Sequence, residues 1–103
     1  MGTRVDLQHL LEGILTDLGL SKNVYFEPPG RLSYPCIKYE LSAGDTFHAN
    51  NQPYLFKKKY LITVIDRNPD SLIPDYVAML PGCRFDRTFT SDNLHHYVFT
   101  IQY

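Results

Sequence analysis

Between residues 5 and 18, in "VDLQHLLEGILTDL", the leucines and isoleucine stand at positions 7, 10, 11, 14, 15 and 18. This is the i, i+3, i+4, i+7 stripe of an amphipathic helix, and Asp6, Glu12 and Asp17 lie off it. Thr3 or Asp6 suits the start of such a helix and Gly19 suits its end. A leucine stripe of this width predicts a helix lying on a sheet.

After Gly19 the pattern changes to a period of two. "NVYFEPPG" (23–30) reads as a short strand stopped by Pro28, Pro29 and Gly30, which cannot continue a ladder. "YPCIKYELS" (34–42) alternates, with Ile37, Tyr39 and Leu41 on one face and Lys38 and Glu40 on the other. "AGDTFHANNQP" (43–53) is rich in Gly, Asp, Asn and Pro, and predicts an extended mobile loop or a splayed hairpin tip. Residues 54–66 form the longest predicted strand, which opens on Lys57, Lys58 and Lys59 and closes on Leu61, Ile62, Val64 and Ile65.

"NPDSLIPDYVAMLPG" (68–82) predicts a second, short helix, with Pro74 in its first turn and Ile73, Val77 and Leu80 on one face. "CRFDRTFT" (83–90) predicts a strand with Cys83, Phe85 and Phe89 opposite Arg84, Asp86, Thr88 and Thr90, followed by a turn at "SDN". "LHHYVFTIQY" (94–103) predicts a last strand with Tyr97, Phe99, Ile101 and Tyr103 on one face. The order is α-β-β-β-α-β-β. It predicts an α+β fold in one domain, 1–103: a mostly antiparallel sheet of about five strands, with both helices packed on one face.

Composition narrows the function classes. A chain of 103 residues with 44% hydrophobic and 20% charged residues is long enough for one independent core. The formal net charge of −1 argues against a dedicated nucleic-acid module, which carries a basic excess. Strand alternation also splits the lysine run, placing Lys57 and Lys59 on one face and Lys58 on the other. The strand "YVFTIQY" departs from the basic-glycine-aromatic signature of RNA-recognition modules, and the element order differs from theirs. With no long apolar run and no signal-peptide pattern, an intracellular protein is expected, with Cys36 and Cys83 as reduced core residues.

Little in the sequence points to catalysis or to a cofactor. His95 and His96 are adjacent on a predicted strand, so they face opposite ways and cannot share one metal. Asp66, Asp70 and Asp92 stand in turn contexts, and no nucleophile elbow, phosphate loop or Cys-x-x-Cys occurs. The expectation is a protein that is not an enzyme and that uses neither metal nor cofactor.

The strings "NVYFEPP", "YPCIKYEL", "NNQPYLFKKKYLITVIDRNPDSLIPD" and "LPGCRFDRTFTSDNLHHYVFTIQY" resemble a family of small tail proteins of long-tailed bacteriophages, encoded beside the head–tail connector genes. The likeness covers nearly everything from residue 23 onward. It implies an α+β subunit of a hexameric ring in the virion neck, assembled in the cytoplasm of the bacterial host. Such a ring is a tail terminator that caps the tail tube and docks onto the head connector. Tail-to-head joining, tail completion or a head–tail adaptor role is the alternative, and a non-viral protein-binding adaptor module is a second one. The implied partners are further copies of the chain, the tail tube protein and the connector proteins; no membrane is involved, and the lumen leaves room for DNA to pass.

A ring subunit needs two complementary side surfaces. Candidate contact residues are Phe47 as an anchor in 43–53, with Lys57 and Lys59 beside it and Arg67 at the far end of the long strand. Arg84, Asp86 and Arg87 offer a second charged strand surface, of the kind that sets register between partners. Tyr103 ends the last strand, which is expected to pair at a subunit boundary.

Overall fold

The computed structural model describes the backbone of residues 4–28, 30–49 and 52–102, with their side chains except over 43–57. Along the chain stand α1 (Arg4–Asp17), β1 (Val24–Phe26), β2 (Cys36–Ala49), β3 (Gln52–Asp66), α2 (Ile73–Ala78), β4 (Cys83–Ser91) and β5 (Leu94–Gln102). The expected α+β fold and its order are therefore observed. The five strands form one sheet in the order β1-β2-β3-β5-β4, antiparallel except at β1.

Helix α1 buries Leu7, Leu11, Ile14 and Leu15 on the sheet, while Leu10 stays 42% exposed at the rim of the stripe. It ends in the predicted way. Gly19 takes φ +74°, its N–H donates to the Thr16 carbonyl, and the Leu20 N–H reaches back to the Leu15 carbonyl. That pair of bonds is the Schellman closure, and Leu20 packs against the core beside it. Helix α2 adds Ile73 and Val77 to the same core, and the Ser71 hydroxyl accepts the Ile73 N–H at its start. The sheet contributes Ile37, Tyr39, Tyr60, Ile62, Val64, Phe99 and Ile101 from the helix-covered face.

A polar seam fixes α1 to the sheet. Gln8 donates to the Val24 carbonyl at 3.1 Å and accepts from the Tyr39 hydroxyl, which also accepts from Arg4 at 3.2 Å. The Arg4 guanidinium lies 4.7 Å above the centre of the Phe26 ring. Burial pushes the Tyr39 hydroxyl up from its ordinary value, and Arg4 works against that rise.

One ladder lay outside the expectations, and two expectations need correction. First, β1 pairs parallel to β2, from Val24↔Ile37 to Phe26↔Tyr39. The Pro28–Gly30 break stops the strand, and the chain returns to the level of Asn23 before β2 starts. There the Ile37 N–H donates to the Asn23 carbonyl and the Asn23 amide to the Pro35 carbonyl. Second, 43–53 is mostly paired strand: the β2–β3 ladder runs out to Ala49↔Gln52, so only positions 50 and 51 stand between the strands, outside the described residues. Third, β5 is flanked by β3 and β4, so the last strand has no edge to offer a partner.

Candidate interaction surface

The ladder places the charged candidates. Strand β1 covers β2 only as far as Tyr39, and β5 covers β3 only as far as Lys59. Beyond those points β2 and β3 continue as a two-stranded arm, which rises about 23 Å past Lys59 at the usual strand pitch. The molecule is accordingly long, with extents of 51 × 26 × 25 Å. Phe47 pairs with Leu55 and Lys57 with Asp45 inside this arm; their side chains lie outside the described residues. Lys58 is exposed, and Lys59, at the base of the arm, is half-buried.

At the base of the arm, Lys59, Arg84 and Asp86 line one open concavity together with Phe85, Thr100 and Gln102. Gly82 forms its corner. It takes φ +77°, and a Cβ there would stand 2.9 Å from the Gln102 carbonyl oxygen, a contact that only glycine permits. Arg67 is not part of this group. It follows Asp66 at the opposite end of β3, roughly 23 Å from Lys59 at strand pitch, with its guanidinium 5.9 Å from the centre of the Tyr34 ring. Tyr103 lies outside the described residues.

Strand β4 departs from the simple alternation. The ladder to β5 shifts between Phe85 and Arg87, which leaves Asp86 as an extra residue in a bulge. Before the bulge Phe85 opposes Phe99, and the two rings meet edge to face at 5.4 Å on the helix-covered side. After it the faces exchange. Phe89 opposes His96 and stacks on its ring at 4.5 Å, on the helix-free side, so it does not share a face with Cys83 and Phe85 as expected. The bulge also brings Arg87 onto the same face as Arg84, opposite Val98 and Thr100. Asp86 forms the expected pair with Arg87, at 3.2 Å.

The helix-free face has a small apolar centre of Cys36, Ile65 and Val98, with Thr63, all buried. Lys38, Lys59, Arg84 and Arg87 stand around it by register, a basic rim interrupted by Glu40. The outer edge of β4 has no neighbouring strand among the described residues, and every residue from Arg84 to Ser91 is exposed.

Several further polar residues serve local structure. The Asp66 carboxylate accepts the Asn68 N–H and the Asn68 side chain accepts the Asp70 N–H, both at 3.0 Å. Asp92 and Asn93 take φ +53° and +63° in the two-residue β4–β5 turn. His95 lies 3.3 Å from the Thr90 hydroxyl, and His96 lies 3.1 Å from the Leu94 carbonyl. Burial raises the Cys36 thiol to about 12 and the Cys83 thiol to about 11, so both stay protonated near neutral pH. Among the described residues, no three His, Cys, Asp or Glu side chains converge as a metal set, and no helix is long and apolar enough to cross a membrane.

The free edge of β4, its bulge and the length of the arm are the features that reading the sequence missed. The Gly- and Asn-rich composition of 43–53 suggested a loop because strand pairing depends on a partner strand that periodicity alone does not reveal. Compared with models of known protein families and with curated proteins, the chain matches none.

Proposed function

We propose that this protein is a structural, non-enzymatic subunit of the neck of a long-tailed bacteriophage: a tail terminator, whose ring caps the tail tube and docks onto the head connector. The resemblance from residue 23 onward suggests the family, and the arm is the observation that carries the reading. A two-stranded ribbon without a covering layer is marginal on its own in water. An arm that rises about 23 Å past the body is therefore best accounted for by contacts with other subunits or with the tube. The charged base of the arm, with Lys59, Arg84 and Asp86 in one concavity, suits a contact in which charge sets register.

The reading predicts that Lys57→Glu with Lys59→Glu, introduced into the phage, leaves the purified protein folded by circular dichroism but disturbs assembly. Electron microscopy of lysates then shows tails of uncontrolled length or unjoined heads and tails. Normal infectious particles in normal yield would overturn the role given to this surface.

A further inference from the structure

We infer that β4 of one copy of this chain adds, antiparallel, to the outer edge of β2 over Glu40–Ala49 in a second copy. The inference rests on the ring reading and names the strand contact that would join neighbouring subunits.

Three observations on the sheet lead there. The first is position. In the order β1-β2-β3-β5-β4, the uncovered edges among the described residues are β4 and the arm portion of β3 on one side, and β2 beyond its last β1 pairing at Tyr39 on the other. Each copy thus presents one edge to give and one to receive, which is the head-to-tail arrangement that closes into a ring. The second is direction. Strands β2, β3, β5 and β4 alternate, so β2 and β4 run opposite ways and a β4-to-β2 junction continues the antiparallel alternation.

The third is charge, which selects between the two sides of the arm. From residue 40 to residue 49 β2 carries Glu40 and Asp45 and no lysine or arginine, whereas the arm portion of β3 carries Lys57 and Lys58. Strand β4 brings Arg84 and Arg87 against one carboxylate, Asp86, a net positive charge. Opposite charges side by side in a sheet stabilise pairing and like charges oppose it, so β4 fits the β2 side and is repelled by the β3 side. With β4 antiparallel to β2, placing Arg87 opposite Asp45 lays Thr88–Ser91 along the β2 edge from Gly44 back to Leu41, clear of the β1 pairings that end at Tyr39. The bulge at Asp86 guards the first part of β4 against indiscriminate pairing, leaving Arg87–Ser91 as the regular accepting stretch.

The test uses the full chain in a Cys83→Ser background. One preparation carries Thr88→Cys in β4, and the other carries Ser42→Cys or Thr46→Cys in β2. The two are mixed with and without purified tail tubes under mild oxidation. The inference predicts a disulfide-linked pair in the mixture that neither preparation forms alone, and slowed amide hydrogen exchange over Arg87–Ser91 on association. Association by light scattering with no such cross-link and no added protection in β4 would overturn the strand contact and leave the ring reading standing. Copies that remain monomeric even with tubes present would overturn both.

Discussion

At the scale of single residues, position on the ladder decides what each side chain does. Leu11 is fully buried and Leu10, one place before it in the same stripe, is 42% exposed. Leu11→Ala is expected to cost about 2–5 kcal/mol in urea unfolding, whereas Leu10→Ala costs under about 1 kcal/mol. Equal losses would mean that α1 sits on the sheet with a different face. The thiols make a second residue-level case. Cys36 and Cys83 are raised by burial from 9.0 to about 12 and about 11. In the unfolded chain they ionise near the ordinary value, so between about pH 9 and pH 11 the unfolded state releases protons that the folded state keeps, and stability falls as pH rises. The urea midpoint is expected to drop from pH 8 to pH 10 in the wild type and to drop less in the Cys36→Ala, Cys83→Ala double variant. An identical drop in both would contradict the burial of these thiols.

At the scale of elements, what could be read from the sequence was what each element settles by itself. The α1 stripe with its Gly19 stop, the Pro74 start of α2 and the "SDN" turn all follow from local chemistry, and all stand where periodicity and turn residues placed them. What could not be read depends on a neighbour. One extra residue at Asp86 exchanges the faces of β4, and nothing in "CRFDRTFT" marks it, because a bulge is defined by the opposing strand. The placing of β5 between β3 and β4 is likewise a property of the sheet and not of "LHHYVFTIQY". The candidate surface shared this fate: Lys59, Arg84 and Asp86 meet, whereas Arg67 stands at the opposite end of β3. The arm yields a prediction of its own. By backbone register 43–57 pairs within the arm, beyond the last β1 pairing at Tyr39 and, but for its base, the last β5 pairing at Lys59, so replacing 43–57 by a two-residue Asn-Gly turn is expected to leave a folded body. Far-UV circular dichroism and cooperative thermal unfolding check this, and loss of cooperativity would show that the arm holds the core together.

At the scale of the whole molecule, one layer of sheet with helices on a single face leaves the structure asymmetric. One face is closed by α1 and α2, the other carries a basic rim, and the arm extends from one end. Such a subunit has distinct surfaces for neighbours at its sides and for partners above and below, which a closed ring between tube and connector requires. Ring formation is what a role in the neck requires, and light scattering coupled to size-exclusion chromatography measures it. Measured at high concentration and again with purified tail tubes, the protein is predicted to give a closed oligomer, with six copies of the chain, alone or on the tube ends. A protein that stays strictly monomeric in both conditions would contradict assembly into a ring.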